Sequence, residues 1–225
     1  MSVKTRFSVV SIKKAETHDW LLNKHYAKRL PAISYAFGLY HGEMLSGVVT
    51  FGMSPNYMED AAWKPFSVLE LNRLVINDGL GKNVGSYFVS HALKLLPQGT
   101  VVISYADFDM GHHGYIYQAT NWIYTGVGGR GSSIYELADG SKRHQRHMGG
   151  GKKEKMIVSG EIVGVTRATG KARYYYFIGD KREKKEMMKM LRYPILPYPK
   201  GENRRYDASH KPHVQQTLFT NDKLI

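Results

Sequence analysis

Between Ser104 and Thr125 the chain reads Ser-Tyr-Ala-Asp-Phe-Asp-Met-Gly-His-His-Gly-Tyr-Ile-Tyr-Gln-Ala-Thr-Asn-Trp-Ile-Tyr-Thr, and no other stretch is so dense in carboxylates, imidazoles, phenols and amides. Such groups move protons at a reacting centre, so the chemistry is placed here. Asp107, Asp109, His112 and His113, with the more distant His25, also hold the ingredients of a two-His, one-carboxylate iron site. His25, Asp107 and His112 are its weak candidates, because the spacing is not diagnostic.

A second signal lies upstream, where Asn77-Asp78-Gly79-Leu80-Gly81-Lys82-Asn83-Val84-Gly85-Ser86 joins an apolar run to an amphipathic helix. Backbone N–H groups at such a helix start can hold phosphate oxygens. Lys82, Asn83, Gly85 and Ser86 are therefore candidate cofactor-binding residues, although Ser86 can equally well cap its own helix. Arg73 interrupts the otherwise apolar strand Val68 to Ile76, where an unpaired guanidinium is expensive to bury. It must meet a carboxylate such as Glu70 or Asp107, a phosphate, or a donor molecule.

The elements that position these groups follow from periodicity. Strands are expected at Phe7 to Ile12, Ile33 to Tyr40, Met44 to Phe51, Val68 to Ile76, Thr100 to Ala106, Trp122 to Val127 and Ser133 to Leu137. Helices are expected at Ala15 to Ala27, Ser86 to Leu96, Gly114 to Thr120 and Asp180 to Leu191, with a hairpin of Met156 to Thr166 and Lys171 to Ile178. Residues 53–66 read as a surface loop that could cover a site. The reactive stretch begins where the strand at 100–106 runs out, the usual place for ligands in α/β sheets.

Charge is uneven. Residues 1–140 carry 12 Lys and Arg against 11 Asp and Glu, and residues 141–225 carry 20 against 8, so 12 of the 13 excess positive charges lie in the last 85 residues. That asymmetry points to a polyanion, since cations lying along phosphates release condensed counterions. Arg143, Arg146, Lys152, Lys153 and Arg173 are candidate nucleic-acid contacts, and Tyr174, Tyr175 and Tyr176 add aromatic faces for base stacking. The chain has no cysteine, which excludes disulfides, thiolate metal sites and a cysteine nucleophile. No apolar run approaches the roughly 20 residues that cross a bilayer, so a soluble, cytoplasmic protein with no membrane partner is expected.

The order of elements resembles the GNAT acyltransferase fold, an α/β fold with a mixed central sheet flanked by helices. Several blocks resemble the phage Mom family of DNA-modification proteins: His25-Tyr26 with Arg29 and Pro31, Glu70-Leu71-Asn72-Arg73-Leu74-Val75, Ser104-Tyr105-Ala106-Asp107 with Gly111-His112, Ile116 to Thr125, and Tyr193 to Lys200. This resemblance implies conversion of adenine in DNA to N6-carbamoylmethyladenine, which protects phage DNA from host restriction inside an infected or prophage-bearing bacterium. With the charge asymmetry and the change in composition beyond Gly140, the chain divides into a GNAT-like catalytic core (1–140), a basic nucleic-acid-binding extension (141–200) and a flexible tail (201–225). Lys82-Asn83-Val84-Gly85-Ser86-Tyr87 departs from the usual GNAT pyrophosphate loop by placing Lys first and bulky Tyr last, which weighs against coenzyme A.

Within that resemblance the expected catalytic set is Asp107, Tyr117, Arg73, His25 and Ser86. Asp107 orients or deprotonates the exocyclic amine, though it could simply cap the next turn, and Tyr117 protonates the leaving group. An adenine inside a duplex must be extruded to react, and Tyr105, Gln118, Asn121 and Trp122 are the expected lining of its pocket. Double-stranded DNA is the expected partner. The donor is either glycyl-tRNA, which would make tRNA a second partner, or acetyl-CoA, with iron in the second route. The rival readings are a GNAT N-acetyltransferase acting on a protein or small amine, and a non-catalytic nucleic-acid-binding module.

Overall fold

The computed structural model describes residues 3–54, 61–128, 131–145, 148–149 and 151–201. A seven-stranded sheet runs in the order β1-β2-β3-β4-β5-β10-β6, from β1 (Phe7–Ser11), β2 (Tyr35–His41), β3 (Met44–Gly52), β4 (Ser67–Ile76), β5 (Thr100–Asp107), β6 (Ile123–Gly128) and β10 (Lys171–Ile178). Every neighbouring pair is antiparallel except β4 with β5, which is parallel. A smaller sheet, in the order β8-β7-β9, is built from β7 (Ser133–Leu137), β8 (Lys142–His144) and β9 (Ile162–Arg167). The helices are α1 (Val3–Arg6), α2 (Val84–Lys94), α3 (Tyr115–Ala119), α4 (Lys152–Val158) and α5 (Lys181–Met190). This is the mixed α/β sheet flanked by helices that the sequence resemblance implies.

The parallel pairing of β4 with β5 positions the site. It runs only from Ser67↔Thr100 to Glu70↔Ile103, and beyond that the two strands part, leaving a wedge between Leu71–Ile76 and Ser104–Asp107. Val101, Val102 and Ile103 are fully buried, as a continuous apolar strand covered on both faces must be. One face packs on α2, whose Val84, Phe88, Val89, Ala92 and Leu93 form a buried stripe at helical spacing. The other face buries Trp63, Ile103, Tyr175, Phe177 and, from α5, Met187.

Two expectations fail. The helix expected at Ala15 to Ala27 is a 3-10 turn at Lys14–Thr17 followed by a π-type turn at Trp20–Lys24, closed by His25 N–H donating to Trp20 O at 3.0 Å. The wider turn lets consecutive Trp20 and Leu21 both bury. The expected hairpin of 156–166 with 171–178 does not form: 152–158 is helical, β9 pairs with β7, and β10 lies between β5 and β6. Tyr174 and Tyr175, which point to opposite faces of β10, are both fully buried, so this strand belongs inside the sheet. A boundary at residue 140 would cut across that sheet, since residues 171–178 of the expected extension complete it. Residues 131–167 instead form an insert between β6 and β10, with its own small core of Tyr135, Leu137, Met148 and Met156. The tail from residue 202 lies outside the described residues, as do residues 55–60 of the loop expected to cover a site.

After α5 the chain returns along β6. Leu196 N–H donates to Tyr124 O at 3.0 Å, Tyr198 Oη–H to Trp122 O at 2.7 Å, and Gln118 Nε2 to Pro199 O at 3.1 Å.

Candidate active site

The wedge between β4 and β5 opens into a cleft of about 870 Å³. Its walls are Leu71–Ile76 of β4, Tyr105 and Ala106 of β5, the loop and helix start at 77–86, Lys24, His25, Tyr26, His112, and Tyr115–Tyr117 of α3. Ser104 marks the apex. Its Oγ lies 2.9 Å from Leu71 O and 2.8 Å from the Tyr117 hydroxyl, so a single side chain bridges the parting strands and anchors the phenol. Gly114 lets α3 come this close: it has φ +75°, and a Cβ there would sit 2.5 Å from the Tyr174 ring.

Burial pushes the Tyr117 phenol well above its ordinary pKa, so its hydroxyl is held neutral and stays a hydrogen-bond donor at neutral pH. His25 is buried, and its Nδ1 accepts the Ala27 N–H at 3.0 Å, which leaves the ring proton on Nε2. Burial, reinforced by Arg73, His112 and Arg29, lowers its pKa to about 3, so at pH 7 His25 is a neutral donor. Its ring packs against Tyr26 at a tilt of 30° with centroids 4.3 Å apart. Tyr26 is pushed up by burial and then by the Asp107 carboxylate.

Arg73 Nη1 donates to Asn72 O at 2.6 Å, while its buried Nε has no partner. Burial and the nearby Arg29 lower its pKa. A buried guanidinium N–H without an acceptor is costly, and here it stands in the wall of the cleft. The Glu70 carboxylate opposes that lowering through its charge, and the Nε–H is left for an acceptor in the cleft. The His112 imidazole is lowered by burial, with the Asp107 field opposing, and lies edge-on to Tyr26 at 5.7 Å. It is a neutral base in the cleft.

At the cleft's other end the α2 N-terminus carries no side-chain cap, and Asn83 before it is left-handed (φ 65°). Ser86 Oγ donates to Asn83 O at 3.0 Å, so its hydroxyl serves the helix start. Lys82, Asn83 and Gly85 line the cleft, where uncapped N–H groups and a cation fit an anionic phosphate oxygen. Tyr87, whose bulk weighed against coenzyme A, is turned away: its hydroxyl donates to Phe7 O at 2.9 Å, and its ring lines a separate hollow behind α2. Lys24, which donates to Asn77 Oδ1 at 2.7 Å, lines the same end of the cleft; as one of many surface-pattern lysines it gave no sequence signal.

Several expected residues lie elsewhere. Asp107 accepts the Asp109 N–H at 3.1 Å and pairs with Lys171 Nζ at 2.8 Å, so it caps the turn and acts on the cleft through its field. Trp122 is fully buried beneath Tyr117 and Tyr176 and has no face for a base. Gln118 spends its amide on His113 O, Tyr174 Oη and Pro199 O, and Asn121 lines the hollow behind α2. Arg173 is engaged by Thr125 at 3.0 and 3.2 Å and lies over the Tyr193 ring at 3.3 Å. Tyr174 and Tyr175 are fully buried and offer no face to a base, whereas Arg173 is half-buried and held by the framework. Tyr105 does line the cleft, and Arg143, Lys152 and Lys153 lie on the insert. Arg146 lies outside the described residues. Among the described residues no group of three or more His, Cys, Asp or Glu is arranged to hold a metal. His25 Nδ1 and the Asp107 carboxylate are already engaged, so the iron set expected from sequence does not form.

A family model described as the Mom protein family matches residues 6–200. The chain belongs to the Mom family. The methylcarbamoylase Mom of Escherichia phage Mu is 30% identical over 190 residues, covering 79% of this chain and 77% of that protein. Among solved structures, a spermidine N-acetyltransferase from Vibrio cholerae in complex with CoA and spermine is 12% identical, covers 76% of this chain and 95% of its own, and has a TM-score of 0.42. An acetyltransferase from Bacillus subtilis in complex with CoA is 12% identical, with 77% and 98% covered and a TM-score of 0.39. The blocks that carry the Mom resemblance at His25-Tyr26, 70–75 and 104–112 converge on the cleft, although 70 and 107 are not among its lining. No helix among the described residues is long and apolar enough to cross a membrane.

Proposed function

We propose that this Mom-family chain is a transferase that converts adenine in DNA to N6-carbamoylmethyladenine and so shields that DNA from restriction. The observation that carries the reading is the convergence, in one cleft, of a neutral histidine donor (His25), a buried unpartnered guanidinium N–H (Arg73), a protonated phenol (Tyr117) and a neutral imidazole (His112). Acyl transfer to an amine needs these parts: donors for a developing oxyanion, an acid for the leaving group and a base for the amine proton.

The adenine is extruded from the duplex and enters beside Tyr26 and Tyr105. An activated acyl donor is held through its phosphate oxygens by Lys82 and the N–H groups at the start of α2. N6 attacks the donor carbonyl and its proton passes to His112. The oxyanion is met by His25 Nε2–H and Arg73 Nε–H, and Tyr117 protonates the departing group. Acetyl transfer from acetyl-CoA leaves an acetyl carbonyl on N6, and the final product then demands a later oxidation and amination. Glycyl transfer from glycyl-tRNA balances without either. The glycyl amine attacks C6 and displaces the amide nitrogen, an isomerisation that leaves glycinamide joined to C6 through its nitrogen.

Nucleoside mass analysis of DNA from cells expressing the chain tests the reading. Carbamoylmethyladenine is expected with the wild type and its loss with Tyr117→Phe. Unmodified adenine throughout, with acetyl-CoA turnover on amines, would overturn it in favour of an N-acetyltransferase. Labelled glycine tests the donor: if neither its carbon nor its nitrogen reaches the modified base, the glycyl route is wrong.

A further inference from the structure

The insert is tied to the turn that shapes the cleft mouth. Its neck closes through Gly131 N–H to Ala168 O at 3.0 Å and Ala168 N–H to Ser132 O at 2.9 Å. Thr169 Oγ1 then donates to Asp109 Oδ1 at 2.7 Å, and Lys171 pairs with Asp107. From the same turn, His112 N–H donates to Asp107 O at 3.0 Å. The insert is thus an arm with a hydrogen-bonded base, rooted where the cleft opens.

One face of the arm combines two features. The registers Tyr135↔Arg143 and Tyr135↔Val165 put Arg143, Tyr135 and Val165 in a row across the small sheet, and Lys153 Nζ lies 5.7 Å from the Tyr135 ring. Lys152 and Lys155 flank Lys153 on α4. Around the Gly160 turn the arm exposes Ile157, Val158, Val163 and Val165, with Val158 at 89%. Exposed valines at this density mark a contact surface, and the cations beside them select a polyanion over an apolar protein face. The acids of the arm are Glu136, Asp139, Glu154 and Glu161, and among the described residues Lys142, Arg143, Lys152, Lys153, Lys155 and Arg167 outnumber them.

We infer that this face is the docking surface for duplex DNA: Arg143, Lys152 and Lys153 lie along the phosphates, and the Ile157–Val158 tip enters a groove as an apolar wedge. The inference rests on the reading of the cleft as a DNA-modifying site. Because the arm is rooted beside Asp107 and Asp109, it holds the backbone next to the cleft mouth, where an extruded base meets His112 and Tyr26.

The test measures fluorescence anisotropy of a labelled duplex oligonucleotide across a salt series, using the full chain. Each lost phosphate contact lowers the slope of log K against log salt by about 0.9, so Arg143→Ser/Lys152→Ser/Lys153→Ser should lower it by roughly 2 to 3. Val158→Ser/Val165→Ser should weaken binding with the slope unchanged. Lys152→Arg/Lys153→Arg, which keeps the charge, should bind as wild type and so excludes misfolding as the cause. A wild-type slope in the triple variant overturns the inference. So does a valine variant that changes only self-association in sedimentation, since the occupant would then be a second copy of the chain. Nucleoside analysis separates the two readings: an unmodified genome with an intact arm-dependent slope sinks the chemistry, and the reverse sinks the arm.

Discussion

Lowering the pH should destabilise the fold through His25. The folded protein holds this imidazole neutral down to about pH 3, whereas an unfolded chain protonates it near 6.5. Between those values the unfolded state binds a proton that the folded state refuses. The stability linked to His25 is therefore present above pH 6.5 and is lost as pH falls toward 3. From pH 7 to pH 5 the loss is about 2 kcal/mol by linkage, or roughly 1 M in the urea midpoint for a slope near 2 kcal/mol per M. His25→Asn is the comparison, because its Oδ1 can accept the Ala27 N–H in place of Nδ1 and cannot titrate. Urea unfolding of both proteins at pH 7 and pH 5 should show the wild-type midpoint dropping further than the variant's by that amount. His112, also lowered by burial, adds the same loss to both and cancels. Parallel midpoints would refute the argument and show that His25 is solvated or charged in the folded state.

Two further outcomes follow from the packing. Trp122→Ala should lower stability by about 3–5 kcal/mol in urea unfolding, the range for emptying a large aromatic site, while the salt slope of DNA binding by the folded protein stays unchanged; a changed slope would restore it as a DNA contact. Lys171→Met removes the cation that pairs with Asp107, so the carboxylate field at His112 strengthens and the His112 titration seen by NMR should move to higher pH, with an unmoved titration counting against the Asp107–His112 coupling.

The strands were legible because apolar residues at β spacing have few alternatives, and the seven expected ones lie within a few residues of β1 to β7. The parting of β4 and β5 was less so. It depends on where pairing stops, and Ser104, which bridges the apex, reads in sequence as a small polar residue at the end of a strand. β10 was misread because Lys171-Ala-Arg-Tyr-Tyr-Tyr-Phe-Ile has the composition of a basic, base-stacking surface. Its tyrosines instead fill both faces of the sheet, and Arg173 is held by contacts with Thr125 and Tyr193 that no local pattern announces.

The same physics explains the shift in the expected roles. A carboxylate at a strand end has two claims on it, the reacting amine and the following backbone N–H groups. In Asp107 the second claim wins, with Lys171 from β10 completing it. With β10 expected outside the sheet, the partner that ties up Asp107 was invisible in the sequence. Once β10 is threaded between β5 and β6, Lys171 must lie opposite Asp107 by register, and the neutral imidazole of His112 becomes the available base. The insert's root beside Asp107 follows from the same register, so the location of one strand decides both what engages the Asp107 carboxylate and where the basic arm is held.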